Sequence, residues 1–289
     1  MNWVNAVVQG VLVGGLYALF ATGLSLAFGV MRFVNLAHGD LAVLAAYFVV
    51  SWVGTLGGNY WLTMVGVVAV MVIVGYFSQR TLFNRTLGAD PLPGILATFG
   101  LGIVIQNALL EHYTATDKSI PLGDILVKSI RLTDRLSIGW FPLITFCVAV
   151  VLLAALQLFL SFTRMGRAFR ATADDPATAQ LMGIDYRHVY GLAMAIAFGA
   201  VALAGFFNGA RTPFSPATGG LLLLFAFEAV VIGGLGSLWG TLLGGVVLGV
   251  AQNLGNQWQV GTGVLVGHLM FLAVLAFRPH GLLGSPART

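Results

Sequence analysis

The chain has 289 residues, of which 58% are hydrophobic and only 8% carry a formal charge, about a third of the share in soluble globular proteins. With a mean hydropathy of +0.92 it has too few polar residues to coat a water-soluble domain of this length. The net charge of +4 is scattered between apolar stretches rather than gathered into a basic, aromatic-rich patch, which excludes nucleic acid as a partner.

Charge-free runs at 1–31, 41–79, 91–110, 136–163, 188–210 and 229–277 approach or exceed the roughly 20 apolar residues that cross a bilayer as a helix. They lack the polar–apolar alternation of a membrane β-barrel. The fold class is therefore all-α, a polytopic membrane bundle held as a single domain over 1–289. No basic residue precedes the first run, so it reads as a retained span near 5–30 rather than a secretory leader. Further spans are expected near 36–55, 61–79, 92–111, 140–162 and 187–208, then 220–235, 238–257 and 261–278. The count is eight or nine transmembrane segments. Residues 220–257 read either as two spans or as one span and a re-entrant segment, because Gly233-Gly-Leu-Gly-Ser-Leu-Trp-Gly240 interrupts them.

Between the spans, Arg32, Arg80, Arg85, Arg164, Arg167, Arg170, Arg187, Arg278 and Arg288 fall at alternate connections. Lys118, Lys128, Arg131, Arg135 and Arg211 occupy the other side, which places the 164–187 loop in the cytoplasm by the positive-inside rule. The loop 111–139 is then external. Its alternation of apolar and charged residues around Ile125–Ile138 suits a short hairpin or an interfacial segment. Glycines recur every four residues at Gly10 and Gly14, at Gly236, Gly240 and Gly244, at Gly245 and Gly249, and at Gly263 and Gly267. On a helix this spacing lines one face and permits close backbone approach.

Enzymatic signatures are missing: no metal-ligand spacing, phosphate loop, dinucleotide fingerprint or nucleophile elbow occurs. No enzyme activity, metal or cofactor is expected. Cys147 lies inside an apolar run, where an inert packed thiol is expected.

The 164–187 loop is the most informative stretch. Asp175 is a good N-cap, Pro176 suits the first helical position and Gly183 suits C′, defining a short helix between them. Such a helix is marginal by itself in water, so it should dock, either on its own bundle and the lipid headgroups or on a partner protein. Its apolar side includes Ala177, Leu181 and Met182.

The loop resembles the coupling segment of ABC-importer permeases. Ala177-Thr178-Ala179, three residues, then Gly183 matches the spacing of their Glu-Ala-Ala…Gly pattern without its glutamate. Arg170-Ala171, Asp175, Ala179 and Gly183-Ile184 are more similar to the branched-chain amino acid ABC permease family. The same resemblance extends to Gly14-Gly-Leu-Tyr-Ala-Leu19, to Asn35-Leu-Ala-His-Gly-Asp40, to Gly233–Gly240 with Gly244-Gly245, and to Arg278-Pro-His-Gly-Leu282. It implies a multi-pass protein of the bacterial inner (plasma) membrane, bounded by lipid, that forms half of a translocation pathway for branched-chain or related small amino acids. The implied partners are a second homologous permease subunit, two cytoplasmic ATP-binding subunits and a periplasmic substrate-binding protein. Arg170, Asp174, Asp175, Ala179 and Gly183 would take part in coupling to the ATP-binding subunits. The competing class is a stand-alone channel or secondary transporter for a small polar solute such as an amide or urea.

Two further features carry two readings each. Asn35, His38 and Asp40 form a polar break between the first two spans, and either line the substrate pathway or cap and satisfy the second helix. Glu228 is the only Asp, Glu, Lys or Arg between Thr212 and Phe277. It either lines the pathway, meeting a substrate ammonium group, or is a structural acid paired across helices or packed in protonated form.

Overall fold

The computed structural model describes residues 3–86, 92–133 and 136–284, with the side chains of 131–136 left aside. Arg135 and Arg288, two of the residues used to orient the chain, lie outside this set.

Helices occupy all nine predicted apolar runs. They are α1 (Trp3–Met31), α2 (His38–Trp52), α3 (Tyr60–Thr81), α4 (Leu92–Tyr113), α5 (Trp140–Phe162), α8 (Tyr186–Arg211), α9 (Gly219–Gly233), α10 (Leu238–Trp258) and α11 (Gly263–Phe277). Among the described residues, seven helices are long and apolar enough to cross a membrane, counting α9 with the turn from Pro216 that leads into it. The other two, α2 and α11, have 15 residues each. At 1.5 Å per residue they are about 22 Å long, short of a hydrocarbon core of about 30 Å. The run 220–257 is broken where the glycines foretold it. Gly234 and Gly236 take φ of 108° and 80°, a left-handed region costly for side chains, and the chain restarts at Ser237, whose hydroxyl accepts the Gly240 N–H at 3.1 Å.

Two features add to the predicted spans. Strand β1 (Ser129–Thr133) pairs antiparallel with β2 (Leu136–Gly139), Ile130 opposite Ile138. This is the short hairpin that the alternation around Ile125–Ile138 suggested, one small sheet in an otherwise mostly helical protein. Between α5 and the short helix α7 (Pro176–Leu181) stands α6 (Arg164–Asp174), which charge density disguised as loop. Its buried residues Gly166, Phe169 and Thr172 recur every third position, a helical stripe. Thr163 caps it by accepting the Gly166 N–H at 2.9 Å.

The chain divides into two compact units. The first comprises Met1–Ser25, Pro121–Ala154 and Phe225–Thr289. Its helices close on glycine: a Cβ at Gly10 would lie 2.6 Å from the Val250 Cα, and one at Gly249 would strike the Gly10 carbonyl. Gly14 meets Gly245 and Val246 in the same way, so the two four-residue repeats are each other's partners. The tail folds back on the break, with the Leu282 and Leu283 N–H donating to the carbonyls of Ile232 (2.8 Å) and Gly233 (2.9 Å). Two of the stretches that carry the family resemblance, Gly233–Gly240 and Arg278–Leu282, therefore build one local structure.

The second unit comprises Leu26–Ile120 and Ala155–Leu224. Its centre is α8, buried along most of its length, with α2 and α3 packed on it. Gly205 sits against the Ala42 carbonyl, and Trp61 meets Phe206 at 5.4 Å between ring centroids. By contrast α3 and α4 expose Leu62, Val65, Ile73, Phe77, Leu96, Phe99 and Val104, an apolar surface that only lipid or another membrane subunit tolerates. Cys147, expected as a packed thiol, is exposed on α5, because the apolar run that holds it turns that side outward.

Candidate functional site

The polar break follows directly from α1. Arg32 takes a left-handed φ of 51°, ending the helix, and the chain re-enters helix at His38. Asn35 is buried, and its side-chain carbonyl accepts the Ala37 N–H at 3.0 Å, while its backbone carbonyl accepts the His38 N–H at 3.2 Å. Leu36 N–H donates to Thr98 Oγ1 of α4 at 3.1 Å. Three backbone N–H groups of the break are thereby paired, as backbone at membrane depth requires, while the buried Asn35 Nδ2 has no hydrogen-bond partner. Ala37, not Asn35 or Asp40, occupies the N-cap position. Asp40 lies in the first turn of α2, half-buried, with its carboxyl wedged between Gly102 of α4 and Gly219 of α9, where a Cβ on either glycine would collide with it. Asn35, His38 and Asp40 thus share one turn packed against α4 and α9.

Glu228 is 1% exposed, and one of its carboxyl oxygens is hydrogen-bonded to His268 Nδ1 of α11. The other oxygen, Oε2, has no partner. This is the cross-helix pair that was one of the two readings of the acid. Sequence reasoning missed His268 because the partners are 40 residues apart and a neutral histidine adds nothing to a count of formal charges. The signal was present nonetheless: each is the lone titratable side chain of its apolar helix. Glu228 lies in the first unit and the Asn35–Asp40 turn in the second.

On the polar side of the second unit, α7 is built as its local sequence dictates. Asp175 accepts the N–H groups of Ala177 (2.9 Å) and Thr178 (3.3 Å) and the Thr178 hydroxyl. These bonds, the Thr178 hydroxyl foremost, hold its carboxyl below the usual carboxylate range. Gly183 has φ of 85° and ends the helix, with Ile184 N–H donating to the Ala179 carbonyl at 3.0 Å. Ala179 is buried, Asp174 ends α6 exposed, and the Arg170 guanidinium reaches the Leu160 carbonyl at the end of α5. Phe169 packs edge-on against Phe159 at 5.7 Å. The result is a short, capped, anchored helix that leaves Leu181 88% and Met182 79% exposed. Among the described residues no group of three His, Cys, Asp or Glu side chains is placed to hold a metal.

Several long apolar helices, a buried polar break, a buried acid and a short capped helix define a multi-pass membrane protein. The chain belongs to the family described as branched-chain amino acid transport system / permease component, which it matches over residues 6–275. It is 30% identical to the high-affinity branched-chain amino acid transport system permease protein BraD of Pseudomonas aeruginosa, over 99% of this chain and 97% of that one. With the corresponding protein LivH of Salmonella typhimurium it shares 28% identity over 96% and 94% of the two chains. With LivM of Escherichia coli it shares 25% over 93% of this chain but 68% of that one. The family is one of transport permeases, not enzymes.

Proposed function

We propose that this chain is one of two membrane subunits of a bacterial ABC importer for branched-chain or related small amino acids, acting as a single permease domain in the inner membrane. The observation that carries this reading is the match with BraD over 99% of this chain and 97% of that one. Family membership stands against a stand-alone channel for an amide or urea. The fuller coverage of LivH than of LivM favours a second, LivM-like subunit as partner. Nine spans follow if α2 and α11 cross with the help of the irregular segments beside them.

In this reading the substrate passes a route to which the Asn35–Asp40 turn and Glu228 contribute. Two cytoplasmic ATP-binding subunits drive it, and a periplasmic binding protein delivers the substrate. The coupling element is α7: its Asp175 cap and Gly183 terminus keep it rigid, and its uncovered Leu181 and Met182 fit an apolar groove on the ATP-binding subunit. Arg170, through the Leu160 carbonyl, and the buried Ala179 fix α6 and α7 to the permease body, and the exposed Asp174 belongs to the surface offered to the ATP-binding subunit. The test is ATPase activity of the assembled transporter carrying Asp175→Ala or Gly183→Val, the second of which puts a β-branched residue at a left-handed φ. Both should insert and assemble yet lose the response to loaded binding protein. A full response in both variants would overturn the coupling role.

A further inference from the structure

Four helices of the first unit bring a compact polar and aromatic cluster together inside otherwise apolar surroundings. Tyr17 of α1 donates its hydroxyl to Gln252 Oε1 of α10. Glu228 of α9 shares a hydrogen bond with His268 of α11. The Phe225 ring, also on α9, lies between the two pairs, 5.1 Å from the Tyr17 ring and 6.5 Å from the His268 ring. Gln252 rests on the α11 backbone at Gly267, the residue before His268, where a Cβ would come within 2.8 Å of its Cγ and 3.1 Å of its Nε2.

Two polar atoms within this one cluster have unspent hydrogen-bonding capacity. Glu228 Oε2 and Gln252 Nε2 are both buried and both without a partner, although the residues are 1% and 6% exposed. Folded proteins pair nearly all such atoms, so each exception calls for an explanation. The cost is greater in a membrane interior, where water is not at hand to compensate. Tyr17 and His268 each engage one end of a side chain and so fix where the other end is presented. The two unspent groups are also chemically opposite. One is a carboxyl oxygen that accepts, and the other is an amide nitrogen with hydrogens to donate and no lone pair to offer. A ligand satisfying both needs a donor, best a cation, and an acceptor, best an anion, on one small frame.

We infer that Glu228 and Gln252 are the two poles of a transient site for the zwitterionic head of a small α-amino acid, the ammonium group going to Glu228 Oε2 and the carboxylate to Gln252 Nε2. Tyr17 and His268 are positioning residues for these two contacts, and Phe225 supplies an apolar wall. This rests on the importer reading above and deepens it. It assigns amino-acid recognition to the membrane subunit as well as to the binding protein. Glu228 thereby has both a structural partner and a role on the route, because its two oxygens do different work.

The test uses the complete transporter in proteoliposomes, with labelled L-leucine and the leucine-loaded binding protein, and reads uptake per ATP hydrolysed. Glu228→Gln and Gln252→Met remove one pole each at nearly constant volume, and Tyr17→Phe deletes only the orienting hydroxyl. Uptake per ATP should fall at least tenfold in the first two and about threefold in the third, while assembly and the ATPase response to loaded binding protein persist. A purely structural role would lower assembly and ATPase together and leave that ratio unchanged. A wild-type ratio in Glu228→Gln and Tyr17→Phe, which are the gentlest of the three, overturns the inference even where Gln252→Met fails to assemble. Failure of the wild-type complex to accumulate L-leucine or any other small α-amino acid that its binding protein delivers would instead overturn the importer reading.

Discussion

Replacing Gly10 by alanine adds one methyl group to the face of α1 that meets α10. The new Cβ would lie 2.6 Å from the Val250 Cα, 2.9 Å from the Gly249 carbonyl oxygen and 3.0 Å from the Val250 nitrogen. Carbon atoms rest at about 3.5–4.0 Å, so the helices must separate locally by about 1 Å. All three obstructing atoms are backbone, and no side chain is free to swing aside. Overpacking of this kind costs about 1–3 kcal/mol. The control is Gly100→Ala on α4, where nothing lies within 4 Å of the added carbon. Helix propensity alone acts there and favours alanine over glycine by about 1 kcal/mol. Thermal unfolding of the purified permease in detergent reads the difference. The same gain offsets part of the cost at Gly10, so at roughly 2–4 °C per kcal/mol for a chain of this size Gly10→Ala should melt below Gly100→Ala by several degrees, and Gly100→Ala at or above wild type. Equal melting temperatures for the two variants would refute the reasoning that α1 and α10 meet backbone to backbone.

Two further outcomes follow from the polar segments. In a Cys147→Ala background, an impermeant thiol reagent applied to intact cells should label a cysteine at Ser119 and not one at Thr178, both of which are exposed positions; the reverse pattern inverts the topology. The depressed Asp175 carboxyl makes the α7 cap pH-dependent in a defined direction. Its contribution is fully present above the ordinary carboxylate pKa of about 4 and is lost as pH falls through the lower folded value. Amide exchange of 176–184 should therefore accelerate, beyond its intrinsic pH dependence, on acidification below that point. Asp175→Asn, which also caps but does not titrate there, should show no such step.

What was legible in the sequence was mostly what is local in the chain. The cap at Asp175, the proline start at Pro176 and the left-handed end at Gly183 need only neighbours within two turns, and all three take the predicted places. Apolar runs located the helices for the same reason, since bilayer crossing is a property of a continuous segment. Pairings between distant segments were not legible. Four-residue glycine spacing marks a face but not the helix that meets it, so the match of Gly10 and Gly14 with Gly245 and Gly249 emerged only from the packed unit. The Glu228–His268 and Tyr17–Gln252 bonds join residues 40 and 235 positions apart. In the loop, a density of arginines concealed α6, whose buried stripe of Gly166, Phe169 and Thr172 is short and contains only one large apolar side chain. The length of α2 was overestimated because the hydrophobic run continues past Trp52, where the chain leaves the helix for turns containing Gly57 and Gly58 at positive φ.

The central claim is that this chain moves amino acids only as part of an ATP-driven assembly. The most direct measurement is accumulation of labelled L-leucine in proteoliposomes holding the permease, its homologous partner subunit and the ATP-binding subunits, with loaded binding protein outside and ATP inside. The account predicts uphill accumulation that disappears when the ATP, the ATP-binding subunits or the binding protein is omitted. Leucine flux of undiminished rate through the permease alone, without nucleotide or partners, would contradict it.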